Sequence, residues 1–145
     1  MGEVPPSHPR YHSLMGRKKL TEAAAEGLLA ESALIAHGRG EAFDYLLGEQ
    51  TCGAARKALS ESAARLLEAE HPVISLNGNA VALAADDLLR CAAVVGCPVE
   101  VNIYYRTPER MEALLGRLHE RRAAVATDAA PEGWSGGDWG VAVES

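Results

Sequence analysis

A strand, a helix and a second strand follow one another in the middle of the chain, and this unit constrains the fold more than any other feature. The stretch VISLN predicts a strand over Val73–Asn77, and PVEVNIYY, with its β-branched and aromatic residues, predicts another over Pro98–Tyr105. Between them, apolar residues at helical spacing predict a helix over 80–95 that ends at Gly96. Because strands joined by a crossover helix pair in parallel, the sequence predicts an α/β fold with a parallel sheet.

An N-terminal helical segment is predicted before the first strand. Ser7 is predicted to cap a helix that reaches about Leu29, and Thr51 is predicted to cap a second long helix with a regular apolar stripe. Between these helices, Ser32–Gly40 is interpreted as a connector, and a short helix is expected to begin at Glu41.

The last part of the sequence has a different character. Thr107 is predicted to open a helix that reaches about Arg122, and beyond it the apolar periodicity stops. The chain is therefore interpreted as one α/β domain over residues 1–122, followed by an irregular or disordered tail over 123–145. Since parallel sheets usually contain more than two strands with helices on both faces, the sheet is predicted to be incomplete.

The composition excludes several classes of function. The formal charge of −6, from 20 acidic against 14 basic residues, argues against a broad nucleic-acid surface, which needs a concentrated basic face. The sequence has neither an apolar run of membrane length nor a signal peptide, so a soluble cytoplasmic protein with no membrane partner is expected. The three cysteines form no C-x-x-C pair and are expected to be free thiols.

The segment HGRGE places Arg39 between two glycines and close to two acids. The glycines permit a tight backbone and leave the guanidinium free to bind phosphate oxygens. A structural alternative is an ion pair from Arg39 to Glu41 or Asp44, and the spacing alone does not separate the two interpretations.

The turn Asn77-Gly78-Asn79 lies between the predicted strand and the helix that follows it. Backbone N–H groups at a helix N-terminus favour anions, and Gly78 would let a ligand approach the backbone closely. The turn matches neither G-x-G-x-x-G nor a P-loop, so an ordinary turn is the alternative.

Two further groups of side chains have ordinary explanations from spacing alone. Arg17 belongs to the cationic stretch GRKKL, and such runs usually form a solvated helix face. His8 and His12 have the spacing of a zinc pair, but no third ligand accompanies them, and no metal site is assigned.

Four segments in order, SHPRYHSLMGRKKL, LIAHGRGEAFDYLLGE, HPVISLNGN and VEVNIYYRTPER, resemble the archaeal phosphopantothenate synthetase family, also called 4-phosphopantoate–β-alanine ligases. The resemblance covers about Pro5 to Arg110, and its second segment is the most specific. It implies a homodimeric, Rossmann-like α/β ligase of coenzyme A biosynthesis. Such an enzyme uses ATP, with Mg²⁺, to join 4-phosphopantoate to β-alanine through an acyl-adenylate, and releases AMP and diphosphate.

The resemblance also implies roles for particular residues. Arg17 and Arg39 match family arginines that bind ATP, which raises Arg17 above its interpretation as a solvated cation. Candidate residues for binding the substrate or its phosphate lie in or beside the matched segments: His37, Asn77, Gly78, Asn79 and Arg106. No catalytic residue is assigned.

The sequence departs from the family in two respects. Lys18 stands where family members commonly have glutamate, beside an ATP-binding arginine. Family members also continue well beyond this length and contain an Asn-Pro-Leu-Ser-Arg stretch that is absent here. The chain is therefore expected to be a truncated N-terminal portion with little ligase activity. The alternative function is a non-catalytic remnant that folds or dimerises and binds a phosphorylated ligand.

Overall fold

Five helices and three short strands make up the computed structural model, which describes residues 4–127 and 142–144. The chain is therefore mixed α/β, as predicted. The elements in chain order are α1 (Tyr11–Ala25), α2 (Ser32–Leu46), α3 (Gly53–Glu68), β1 (Ile74–Leu76), α4 (Gly78–Val95), β2 (Val99–Val101), α5 (Pro108–Thr127) and β3 (Val143–Glu144).

The three strands form one parallel sheet in the order β1-β2-β3. In β1 and β2, Ile74 lies opposite Val99 and Leu76 lies opposite Val101. Val99 also lies opposite Val143 of β3. Parallel pairing of β1 with β2 confirms the prediction, and each of these strands is a three-residue piece of its predicted segment.

The sheet is apolar on one face and polar on the other. Ile74 and Leu76 are buried, whereas Ser75 between them is exposed and donates a hydrogen bond of 2.6 Å to Glu100 Oε1 on β2. Because successive side chains of a strand point to opposite faces, this alternation means that the described residues cover the sheet on one face.

The core lies between the apolar face of the sheet and the helices α1, α4 and α5. Large apolar side chains from these elements are removed from water, and such burial stabilises the fold by about 1.5–3 kcal/mol for each. The side chains with essentially no exposure are Leu20, Leu76, Leu89, Val99, Val101, Leu114, Leu118 and Val125.

The helix α4 begins at the end of β1 and stops at a glycine. Asn77 Oδ1 accepts a hydrogen bond of 2.9 Å from the Ala80 N–H, which makes Asn77 the N-cap. Gly96 has a φ of +73°, a left-handed conformation that ends the helix where the sequence predicted. Within α4, Ala84 leaves helical geometry and marks a kink.

A continuous helix, α2, replaces the connector that was predicted over Ser32–Gly40. The prediction was wrong because Gly38 and Gly40 were interpreted as breaks. A glycine inside a helix costs only about 1 kcal/mol relative to alanine. Packing of Ala33 and Leu34 against the core compensates for this cost.

Two predicted helix caps were also wrong. The helix α1 begins at Tyr11 rather than after Ser7, and it has no side-chain cap. The N-cap of α3 is Cys52 rather than Thr51. The carbonyl of Thr51 instead accepts a hydrogen bond of 2.8 Å from Arg56 Nη1. A side chain of α3 therefore provides the hydrogen-bond partner of this loop carbonyl.

The region after residue 122 is partly regular. The helix α5 continues to Thr127, because alanines at 123, 124 and 126 favour a helix and Val125 is buried. Val143–Glu144 forms β3 and was not predicted. The rest of the predicted tail, 128–141 and 145, lies outside the described residues.

The three cysteines are free thiols, as predicted, with Cys52 partly buried, Cys91 exposed and Cys97 buried. Burial raises the pKa of the Cys97 thiol, because a thiolate is poorly solvated in the core. Among the helices that the structure describes, none combines the length and the apolar character needed to cross a lipid bilayer.

Candidate functional site

A cavity of about 450 Å³ lies where β1 and β2 end. Four parts of the chain form its walls. They are the connector between α1 and α2 (residues 26–31), the N-terminal half of α2, the Asn77–Asn79 turn, and the segment from β2 into the first turn of α5. Open α/β sheets bind ligands at the carboxyl ends of their strands. The volume is also in the range of small-molecule sites.

The lining of this cavity is apolar apart from two cations and a few neutral polar groups. Arg39 and Arg110 are the charged side chains among the described lining residues, and no carboxylate lines it. Leucine, isoleucine, alanine and tyrosine side chains form much of the remaining wall. Two guanidinium groups without a facing carboxylate favour an anion, and the apolar wall favours a ligand with a hydrocarbon part.

The turn after β1 lines the cavity as predicted, but its first two residues also have structural tasks. The side-chain oxygen of Asn77 is occupied in capping α4. A Cβ on Gly78 would lie 2.6 Å from Leu29 Cδ2 and 3.2 Å from the Leu28 carbonyl oxygen. Leu28 and Leu29, in the connector between α1 and α2, therefore make the close approach that requires a glycine at position 78. The sequence interpretation had assigned this close approach to a ligand.

Asn79 joins α4 to α2. Its side-chain Nδ2 donates a hydrogen bond of 3.1 Å to the Ala33 carbonyl, which fixes the orientation of the amide. The other end of the amide, Oδ1, is buried and has no hydrogen-bond partner in the described part of the chain. A buried acceptor without a partner costs about 1–3 kcal/mol, so this atom offers a position for a ligand donor.

Arg39 reaches the cavity from α2 and is exposed. It makes no ion pair with Glu41 or Asp44, which was the structural alternative. Glu41 instead contacts His37 and Ser13. Because residues two apart on a helix do not face each other, Arg39 and Glu41 lie on different sides of α2.

His37 faces a different cavity, of about 900 Å³, between α1 and α2. Its Nδ1 lies 3.4 Å from Glu41 Oε2, within ion-pair range but without a hydrogen bond, and the Ser13 hydroxyl donates to the same carboxylate. Asp44 and Glu49 add further negative charge. The helix α2 therefore separates a cavity that has two arginines and no carboxylate from one that has three carboxylates together with Arg10, His12 and His37.

Arg17 and Arg106 line neither of these cavities. Arg17 Nη1 donates a hydrogen bond of 2.8 Å to the Leu34 carbonyl, which ties α1 to α2, and Arg106 is exposed after β2. Of the seven residues that the sequence predicted, four meet in one cavity: Arg39, Asn77, Gly78 and Asn79.

Arg110 is the charged lining residue that the sequence interpretation missed. Its Nη1 donates to the Tyr105 carbonyl, and its Nε is buried without a hydrogen-bond partner among the described residues. The predicted Thr107 cap was the sequence signal that could have identified Arg110. In the structure, the Arg110 backbone N–H donates a hydrogen bond of 3.3 Å to Thr107 Oγ1. A cap there places the first turn of α5, and with it Arg110, close to the end of β2.

A third cavity, of about 430 Å³, lies between α1, α4 and α5, but six of its eight charged side chains pair with one another. Arg121 binds Asp86, Arg117 binds Glu26 and Arg90 binds Asp87. In the described ranges, no group of three or more histidine, cysteine, aspartate or glutamate side chains is placed to hold a metal ion. The cavity at the strand ends is therefore the best candidate site.

Comparison with known proteins shows the family of the chain. Residues 54–132, more than half of the chain, match the family model described as phosphopantothenate/pantothenate synthetase. This stretch contains β1, α4, β2 and α5, and therefore the Asn77–Asn79 turn and Arg110.

Several curated proteins are similar over most of the chain, and each is named 4-phosphopantoate–β-alanine ligase. The protein from Methanospirillum hungatei is 50% identical over 117 residues, which are 81% of this chain and 48% of that protein. The relative from Thermococcus kodakarensis is 46% identical over 83% of this chain and 46% of its own length. The relative from Methanosarcina mazei is 41% identical over 91% of this chain and 52% of its own. The chain thus spans about half the length of the relatives it matches.

Proposed function

Since this chain belongs to the phosphopantothenate/pantothenate synthetase family, we propose that it functions in the ATP-dependent ligation of 4-phosphopantoate to β-alanine in coenzyme A biosynthesis. The names of its relatives favour this function over a non-catalytic remnant. The observation that carries the proposal is the cavity at the strand ends, with its two arginines and its apolar wall.

The reaction makes two demands on the site. The carboxylate of 4-phosphopantoate attacks the α-phosphate of ATP and displaces diphosphate, and the amine of β-alanine then displaces AMP from the acyl-adenylate. Both steps need negative charge to be neutralised, and the acid must lie in line with the phosphate. Arg39 and the Asn77–Asn79 turn offer such groups in one cavity.

We assign the nucleotide to the side of the cavity where Arg39 lies. Arg39 is exposed and free of ion pairs to described residues, so it can bind phosphate oxygens without first losing a partner. Arg17 approaches α2 from α1 and has only one of its N–H groups bonded to the Leu34 carbonyl. The same family resemblance suggests that it also contacts ATP.

Mg²⁺ is proposed to enter with the nucleotide. Magnesium bound to ATP is held mainly by phosphate oxygens and water and needs few protein ligands. No acidic side chain lines this cavity among the described residues, so none is assigned as a metal ligand.

A Rossmann-like arrangement is the fold we propose for the complete sheet. Its support is the β1-α4-β2 unit, with parallel strands and a ligand-sized cavity at their carboxyl ends. His37 and Arg106 remain proposed substrate contacts, and the carboxylates of the cavity beside His37 are proposed to bind the cationic amine of β-alanine.

A homodimer is proposed on the basis of an uncovered surface. No side chain of α3 is buried by the described part of the chain. Phe43 and Leu46 on α2 and Leu59 and Leu67 on α3, here together named the α2–α3 surface, are each more than 60% exposed. Exposed apolar surface of this kind usually marks an interface, and a second copy of the chain is the proposed occupant.

The nucleotide assignment can be tested by calorimetry. We expect Arg39→Ala to weaken ATP binding by about 1.5–3 kcal/mol, the contribution of a hydrogen bond to a charged group. Arg17→Ala should change binding in the same direction. Arg65→Ala is the matched control, because Arg65 lies on exposed α3 and pairs with Glu61 outside the cavity.

The reaction itself can be followed by exchange of labelled diphosphate into ATP. Adenylation predicts exchange that requires 4-phosphopantoate and does not require β-alanine. Unchanged ATP affinity in both arginine variants would refute the nucleotide assignment. Exchange of diphosphate into ATP in the absence of 4-phosphopantoate would argue against the proposed reaction.

A further inference from the structure

Arg110 is held in the cavity wall with one edge of its guanidinium unused. One nitrogen, Nη1, is committed to the Tyr105 carbonyl just before α5. The edge formed by Nε and Nη2 has no hydrogen bond to the described residues, and Nε is buried. A buried guanidinium N–H without a partner is costly, so this edge is suited to an anionic ligand.

We propose that Arg110 binds the carboxylate of the acid substrate, and that Asn79 Oδ1 accepts a hydrogen bond from a donor group beside it. The assignment rests on the proposed function and adds to it a residue that sequence reasoning had not selected. Arg110 Nε and Asn79 Oδ1 are both buried in this arrangement, so binding requires both atoms to become accessible to the ligand.

The burial of the free edge favours a carboxylate over a phosphate. Nε and Nη2 form a planar fork, and either anion can accept two parallel hydrogen bonds from it. The partly buried position of Arg110 disfavours a doubly charged phosphate, because removing the larger charge from water costs more. The exposed Arg39 is the better partner for a phosphate.

The rest of the cavity fits the same molecule. The acid 4-phosphopantoate carries a hydroxyl beside its carboxylate, two methyl groups on the next carbon and a phosphate at the other end. The hydroxyl can donate to Asn79 Oδ1, which lacks a partner and is held in place through Ala33. The methyl groups can contact Leu29, Ile35 and Ile103 in the apolar wall.

The experiment combines a change in the protein with a change in the ligand. Binding of 4-phosphopantoate and of its primary amide is measured by calorimetry with the full chain and with Arg110→Gln. The unaltered chain should bind the acid about 10- to 100-fold more tightly than the amide, as expected for hydrogen bonds to a charged group. Arg110→Gln should lose this factor for the acid and should no longer distinguish acid from amide.

A closely matched control exists elsewhere in the chain. Arg56 Nη1 also donates to a carbonyl five residues earlier, that of Thr51, but Arg56 is exposed and outside the cavity. Arg56→Gln removes the same type of contact and should leave both affinities unchanged. Arg110→Lys keeps the charge without the fork and should show an intermediate preference, and it decides the question if Arg110→Gln fails to fold by circular dichroism.

The outcomes separate this assignment from the proposed function. In one outcome, the unaltered chain binds 4-phosphopantoate while the Arg110 variants prefer the acid over the amide by the same factor as the unaltered chain. This result would overturn the role of Arg110 alone. Absence of binding by the unaltered chain would overturn the proposed function and this assignment together.

Discussion

At Gly78 one added methyl group would overlap a side chain of the adjacent connector. The Cβ of an alanine would lie 2.6 Å from Leu29 Cδ2, which is closer than carbon atoms approach without a bond. We expect Gly78→Ala to lower the free energy of unfolding by about 1–3 kcal/mol, the usual cost of overpacking. Urea denaturation followed by circular dichroism measures this change. Because Leu29 lines the cavity, the same substitution should alter ligand binding.

Gly116→Ala provides the control for this prediction. Gly116 lies on an exposed part of α5, and a Cβ there meets nothing within 4 Å. This substitution should raise the free energy of unfolding by up to about 1 kcal/mol, because alanine favours a helix. Equal effects of the two substitutions would show that helix propensity, and not the contact with Leu29, governs position 78.

The sequence located the site at the level of segments but not of every side chain. The Asn77–Asn79 turn was predicted because a strand, a glycine and a helix start can be recognised locally. Arg106 was selected because it lies in or beside a matched segment, whereas Arg110, the last residue of VEVNIYYRTPER, was not selected. The strand ends earlier, at Val101, and a helical turn then directs Arg110 to the cavity. Such a choice depends on where elements end, and element ends are weakly encoded in a sequence.

At the scale of elements, Asp86 and Arg121 join α4 to α5. Arg121 donates two hydrogen bonds to the carboxylate, of 2.7 and 2.5 Å. Hydrogen bonding from Arg121 lowers the pKa of Asp86, against the opposing effect of desolvation, and the charges of Arg121, Arg90 and Lys19 add to the lowering. A carboxyl whose pKa is lowered by folding stabilises the fold above its ordinary value of 3.8, and this contribution is lost as the pH falls below that value.

We therefore expect Asp86→Asn to destabilise the chain at pH 7 by about 0.5–1 kcal/mol. The small value follows from solvent screening, since the two side chains are 35% and 40% exposed. The difference in unfolding free energy between variant and unaltered chain should shrink as the pH falls below 3.8. Denaturation at a series of pH values measures it.

Asp87→Asn is the neighbouring control for the pair. Asp87 is 84% exposed and meets Arg90 three residues later on the same helix. Its substitution should have little effect on stability, because exposed ion pairs of this kind contribute little. A loss for Asp86→Asn that is independent of pH would show that shape or packing, rather than charge, is responsible.

The elements that the sequence predicted well are those defined by local pattern. The β1-α4-β2 unit was recognised because β-branched strands flank a strongly apolar helix with a glycine stop. The continuity of α2 was missed because its core contacts, through Ala33 and Leu34, involve distant parts of the chain. β3 was missed for the same reason, since two residues pair with a strand more than forty positions away.

At the scale of the whole molecule, the α2–α3 surface predicts how copies of the chain associate. Leu46 is 80% and Leu59 is 64% exposed, so neither contributes to the core of a single chain. We expect the unaltered chain to sediment as a dimer. A double variant, Leu46→Glu with Leu59→Glu, should sediment as a monomer with unchanged helical content, because it places charges in the proposed apolar contact.

Val94→Glu tests whether any exposed apolar residue would give the same result. Val94 is 56% exposed near the C-terminal end of α4, which does not form part of the α2–α3 surface, and its substitution should leave a dimer intact. A dimer that survives the double variant would place the interface elsewhere. A monomeric unaltered chain would contradict the homodimer itself.

The position of α2 as a wall shared by two cavities has a thermodynamic consequence. One side of the helix presents Arg39 and the other presents His37 and Glu41. A movement of α2 that narrows one of the two cavities would change the shape of the other. Occupancy on one side therefore changes affinity on the opposite side whenever α2 moves, and free-energy linkage requires the effect to be equal in both directions. A shift of this single helix on ligand binding would therefore couple the two cavities.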